Sequence, residues 1–152
     1  MNDAELTLIQ YRIDRSKEAL SAAKLLYAEG HYNDAVNRLY YSCFYAVIAL
    51  LATQGIHPHK HIAARAFLNK NWIKTGRLSK ETGWTYNSLF DRREKGDYGD
   101  YLRFRIDDVK NGIINVAKVI EEIFQAIEKL LFLNGDQLTR RLYCWIKWKR
   151  KR

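Results

Sequence analysis

The chain has 152 residues with 47% hydrophobic and 28% charged side chains, one proline and eight glycines, which suits a single globular domain and excludes a disordered or fibrous chain. Its net charge of +9 is uneven: Phe132 to Arg152 holds seven Lys or Arg against one Asp, so this segment carries +6 and the first 131 residues only +3. A case for nucleic-acid binding built on global charge is therefore a case about the C-terminal segment.

In chain order, the first element is read from Leu6, Ile9, Ile13, Ser16, Leu20, Ala23 and Tyr27, a 3-4-3-4-3-4 spacing that lies on one face of a helix. Gly30 marks its end. A second helix is expected from Tyr32 to Gln54, with Asn33 or Asp34 as its cap and Gly55 as its stop. After Arg38 it is apolar on nearly all sides, which places it centrally among neighbours. Pro58 breaks the loop GIHPHKH, and a shorter helix is expected over Ile62 to Trp72. Ser79 can cap a further helix through WTYNSLFDRRE, with Gly96 as its stop and Asp97 or Asp100 capping the next helix. The last long helix carries Ile106, Val109, Ile113, Val116, Ile120, Ile123, Ile127 and Leu130 at alternating 3-4 steps, and Asn134-Gly135 ends it.

The expected fold is all-α: an antiparallel up-and-down bundle of four to five helices over residues 1–131, then a basic aromatic tail over 132–152. The tail sequence LTRRLYCWIKWKRKR can form a short amphipathic helix with Leu138, Leu142, Trp145 and Ile146 on one side. Its basic and aromatic residues suit RNA or an anionic membrane. The plainer alternative is an uncovered, partly disordered C-terminus whose charge serves solubility.

No secretory signal is evident in MNDAELTLIQYRIDR, and the longest apolar run, Phe44 to Ala52, is too short to span a bilayer. Cys43 and Cys144 form no CxxC pair, so a reduced, cytoplasmic setting is the default. GxGxxG, P-loop, HExxH and GxSxG motifs are missing, which removes the common nucleotide-fold, metalloprotease and serine-hydrolase readings. His57, His59 and His61 alternate around Pro58 but converge poorly for a tetrahedral metal, so no metal and no cofactor is expected. In NRLYYSCFYA, Tyr41 and Tyr45 read as core residues with hydroxyls at the rim. Asn37 and Arg38 enter a buried helix and need partners, for which Asp91 or Asp97 are candidates.

The segments AVNRLYYSCFYAVIALLATQGIHPHKH, FLNKNWIKTGRLSKE and SLFDRREKGDYGDY, in this order, resemble the HEPN-domain family, most closely its small stand-alone bacterial and archaeal branch. The resemblance covers roughly Ala4 to Leu131 and leaves the tail unmatched. It implies a helical bundle, usually a homodimer, encoded beside a minimal nucleotidyltransferase as a toxin–antitoxin pair. Many such relatives are metal-independent endoribonucleases whose motif runs from an Arg through a polar residue to a His, two motifs meeting across the dimer in one RNA cleft. Here Arg93 matches the motif arginine, with Arg92 as the alternative, and Asp97 stands about where the His would be.

On this resemblance Arg93, Asp97 and Tyr98 are the catalytic candidates, and Arg92, Arg38 and His61 the nucleotide- or RNA-binding ones. RNA cleavage by 2′-OH attack needs a base, an acid and a cation for the phosphate. Arg93 suits the cation, since a guanidinium is a planar fork. A carboxylate with an ordinary pKa of about 3.9 is an acceptable base but a poor acid, and a phenol near ~10 donates only in a shifted environment. His61 could fill that gap where the fold brings it close. In related pairs the partner modifies a tyrosine beside the motif with AMP, which makes Tyr98 the modification candidate. The alternative is a non-catalytic bundle that binds a nucleotide or docks the nucleotidyltransferase, with Arg93 and Asp97 in a structural salt bridge.

Overall fold

Helix α1 (Asp3–Ala28) starts from a reciprocal cap: the Glu5 amide donates to Asn2 Oδ1 and the Asn2 amide to Glu5 Oε2, both at 2.9 Å. Its predicted stripe from Leu6 to Ala23 is buried. The chain then turns at Gly30, whose φ of 80° lets the His31 amide reach back to the Leu26 carbonyl at 2.8 Å. The computed structural model describes residues 1–98 and 104–152, with side chains throughout except at 94–98.

Helix α2 (Tyr32–Ala52) is the axis of the molecule, packed by α1, by α3 (His61–Leu68), by α4 (Lys80–Tyr98) and by α5 (Ile106–Asn134). From Ala46 to Ala52 every residue is buried. Among the described residues α2 is the one helix long and apolar enough to cross a membrane, but 72% of that window is buried within the bundle. The expected cap is corrected: the residue before α2 is His31 and no side chain caps it, because Asn33 Oδ1 instead accepts the Phe104 amide at 3.1 Å. Where α1 crosses α2, the hydroxyls of Ser16 and Ser42 each donate to the other's carbonyl, at 2.7 and 2.8 Å, so neither buried polar group lacks a partner.

The helix expected over Ile62 to Trp72 divides. Helix α3 ends at Leu68 and a π-helical turn, Asn69–Ile73, follows, with the Lys74 amide bonded to the Asn69 carbonyl at 2.9 Å. Burial of Trp72 accounts for the wider turn: its Nε1 donates to Gln54 Oε1 at 3.1 Å and the Arg77 guanidinium lies 3.7 Å from its ring centroid. Ser79 caps α4 through the Thr82 amide at 3.2 Å, as its sequence predicts. Glu122 of α5 strengthens that end, accepting the Ser79 amide at 2.7 Å and the hydroxyls of Ser79 and Thr82. Gly96 does not stop α4, which continues to Tyr98; glycine weakens a helix by about 1 kcal/mol without ending it.

Helix α5 does not start on Asp97 or Asp100. Arg105 precedes it, and the Arg105 amide donates to Asp108 Oδ2 at 3.1 Å. The buried seam runs from Val109 to Ile127, while Ile106, at the first position of the helix, remains exposed. Gly112 lets α5 approach α2 so closely that an added Cβ would meet Leu39 Cδ1 at 2.8 Å. After Gly135, with φ 66°, the C-terminal segment forms α6 (Gln137–Arg150), capped where Asp136 Oδ1 accepts the Thr139 amide at 2.7 Å.

The C-terminal segment is therefore not an uncovered end. Leu142 and Ile146 are buried, and α6 lies against α5 and α1. Arg150 reaches Glu121 at 2.8 Å and Glu128 at 2.7 Å; Lys149 Nζ lies 3.2 Å from Asp14, and its carbonyl accepts Lys17 Nζ at 2.9 Å. Six α-helices are thus present among the described residues, against the four to five expected.

Because Glu122 ties α5 to the start of α4, Glu122→Ala should lower stability by about 1–3 kcal/mol, and Glu122→Gln, which keeps an acceptor, by less. Urea unfolding of the two variants beside the wild type measures this.

Candidate functional site

Three helices meet at the site: the first half of α2, the start of α3 and the C-terminal part of α4. Residues spaced three or four apart along α2 place Arg38, Tyr41 and Tyr45 on one face. The Arg38 guanidinium lies 4.8 Å from the Tyr41 ring centroid. Arg93, entering from α4, donates from Nη2 to Tyr41 Oη at 3.1 Å, and its guanidinium lies 5.1 and 5.3 Å from the ring centroids of Tyr40 and Tyr41.

His61, the first residue of α3, packs into the same aromatic group. It stacks on Phe44 at 4.0 Å with an interplanar angle of 2°, meets Tyr41 edge-on at 5.9 Å, and shares a 2.8 Å hydrogen bond between Nδ1 and Tyr40 Oη. The fold thus brings His61 to Arg93 through two shared tyrosines. Burial holds the His61 pKa below the ordinary imidazole value, and the nearby Arg93 charge lowers it further. Burial also pushes the Tyr40 phenol up to about 12, so Tyr40 is a neutral hydrogen-bond partner at any ordinary pH.

Arg92 points elsewhere along the same edge, with its guanidinium 6.0 Å from the Phe104 ring centroid. With Arg93, Asn37, Asn33 and Phe104 it lines a pocket of about 110 Å³, and it also borders a larger one of about 310 Å³ between α4 and α5, beside Trp84 and Asp108. The expected pairing of Arg38 with Asp91 is corrected. Arg38 Nη2 donates to the neighbouring Asn37 Oδ1 at 2.8 Å, whereas Asp91 accepts from Arg65 at 3.1 Å. Arg65 also donates to Asn87 at 3.0 Å and covers the Phe90 ring at 4.6 Å, so that ion pair belongs to the contact between α3 and α4. The side chains of Asp97 and Tyr98, and with them the suggested pair between Arg93 and Asp97, lie outside the described residues.

Two residues that the sequence pattern assigns to packing organise the site. Tyr40 holds His61, and Tyr41 accepts from Arg93. The signal available was the i, i+3 placement of Arg38 and Tyr41, which puts a cation and a ring on one helix face.

The model of the HEPN domain matches residues 9–130. The chain belongs to the HEPN domain family. A UPF0332 protein of Thermotoga maritima is 40% identical over 131 residues, covering 86% of this chain and 96% of that protein. Two proteins of Methanocaldococcus jannaschii, each named "Putative toxin", are both 34% identical, over 98 and 123 residues; these cover 64% and 81% of this chain and 67% and 91% of those proteins. This is therefore a toxin-like HEPN protein, and the match covers the helices that build the aromatic cluster while leaving α6 outside.

The depressed His61 pKa fixes a sign. The folded HEPN bundle binds fewer protons there than the unfolded chain does, so stability tied to neutral His61 is complete above about 6.5 and is lost as pH falls below it. In Arg93→Ala the His61 pKa should rise toward, without reaching, the ordinary value, because burial remains. NMR titration of the imidazole resonances in both proteins measures that rise.

Proposed function

We propose that this HEPN protein is the toxin of a two-component system and acts, as a cytoplasmic homodimer, as a metal-independent endoribonuclease. The observation that carries the reading is the meeting of Arg93 and His61 on Tyr40 and Tyr41. The matched relatives that bear toxin names support its cellular side.

The chemistry follows from those groups. With the Nδ1 proton directed at Tyr40, His61 Nε2 presents a lone pair that can take the 2′-OH proton. The 2′ oxygen attacks phosphorus and the bond to the 5′ oxygen breaks, leaving a 2′,3′-cyclic phosphate and a 5′-hydroxyl. Arg93, with Arg92 and Arg38 alongside, neutralises the phosphoryl oxygens as charge builds. Asp97 and Tyr98 are assigned to the remaining acid–base step by the family resemblance. The partner in this reading is a minimal nucleotidyltransferase that attaches AMP to Tyr98 and so silences the toxin.

A non-catalytic nucleotide-binding or adaptor role is favoured by one observation: Arg93 and Asp91 already have protein partners, Tyr41 and Arg65. One experiment separates the two. Purified protein is incubated with labelled single-stranded RNA with and without EDTA, and growth is followed on expression in cells. Cleavage that survives EDTA, yields cyclic-phosphate ends and falls at least about 100-fold in His61→Ala and Arg93→Ala is the expected result. Intact RNA, together with unchanged growth arrest by Arg93→Ala, would overturn the ribonuclease reading.

A further inference from the structure

Helix α6 lies beyond the segment that matches the family, and its charge is divided between two faces. Thr139, Leu142 and Ile146 face the bundle and are buried. Lys149 and Arg150 are used by Asp14, Glu121 and Glu128. The outward face carries Arg140, Arg141, Lys147, Trp148, Lys151 and Arg152, all exposed. None of these five cations has a carboxylate partner among the described residues. From residue 140 to 152 the stripe runs roughly 18 Å at the rise of an α-helix.

Within that stripe the Trp148 ring is 48% exposed and the Arg152 guanidinium sits 4.2 Å from its centroid. Five unneutralised cations in line, with one accessible indole among them, match the two demands of a single strand: phosphates at intervals and bases with open π-faces. A membrane is the weaker fit. An interfacial helix inserts its apolar face into the lipid, and the apolar face of α6 is already buried against the bundle.

We infer that the outward face of α6 is a docking surface for single-stranded RNA, which binds through its phosphates to the five cations and stacks a base on Trp148. The choice of RNA over DNA rests on the proposed ribonuclease activity; the stripe itself reads only phosphate and base. In this arrangement α6 adds affinity that the bundle lacks, holds the strand without reading sequence, and leaves the chemistry to the cluster on α2.

The test is fluorescence anisotropy with labelled oligo(U), carried out in the Arg93→Ala protein so that cleavage cannot alter the probe. Whether RNA is cut and whether α6 binds it are then separate results. The expected slope of log affinity against log salt is about −3.5 for five phosphate contacts on a single strand. Changing Arg140, Arg141, Lys147, Lys151 and Arg152 to Gln together should flatten that slope by about 3 and weaken binding at least ten-fold. Trp148→Ala alone should weaken it about ten-fold with the slope unchanged, and serves as the test should the multiple variant fail to fold. Binding of oligo(U) that is indifferent to both changes would overturn the inference. So would tighter binding of oligo(dT) than of oligo(U), or binding to anionic phospholipid vesicles with none to either oligonucleotide.

Discussion

The burial of α2 on almost every side is the constraint from which the rest of the fold derives. A helix that is apolar around its circumference needs neighbours on each flank, and α1, α3, α4 and α5 supply them. Close approach is achieved with small residues and matched polar ones: Gly112 against Leu39, and the reciprocal pair of Ser16 and Ser42. The wholly apolar part of α2 is its second half. Its first half alternates buried positions with Arg38, Tyr41, Phe44 and Tyr45, which are only partly covered. The candidate site forms there, where packing is complete enough to hold rings in place and open enough to admit charge.

Within that region the aromatic residues act as a frame for two polar groups. A guanidinium over tyrosine rings is held by the ring faces and by one hydroxyl, which together set its position. The imidazole is fixed by a stack on Phe44 and one hydrogen bond to a neutral phenol. Burial and the arginine charge both favour its neutral form. A cation and a neutral imidazole side by side keep opposite jobs distinct: one holds negative charge and the other accepts a proton. Local environment decides those roles, since a histidine in water would be about as ready to carry a proton as to lack one near pH 6.5.

Much of the fold was readable because it is local. The stripes of α1 and α5 repeat every three or four residues, and glycine marked three of the turns, at Gly30, Gly55 and Gly135. Ser79 was readable as a cap for the same reason. Gly96 misled because glycine permits a stop without requiring one, and α4 runs past it. Asn33 misled because its acceptor is taken by the Phe104 amide, a partner seventy-one residues away in sequence. The meeting of His61 with Arg93 was unreadable for that kind of reason: it depends on the angle at which α3 leaves a proline-broken loop. The ion pairs that seat α6 involve Asp14, Glu121 and Glu128, on two different helices, and no local pattern announces them.

The π-helical turn at Asn69–Ile73 has a consequence for how this chain tolerates changes of length. Such a turn holds one residue more than the α-helical path would. Removing a residue there would let the hydrogen-bond ladder close into a regular helix, but everything beyond would rotate by about 100° relative to α3. Trp72 would swing away from Gln54, and Ile73 away from Gly83, where even a Cβ would come within 2.8 Å of it. A single-codon deletion in this short stretch would therefore damage the fold more than the same deletion in the loop between α2 and α3, although both stretches are connections between longer helical elements.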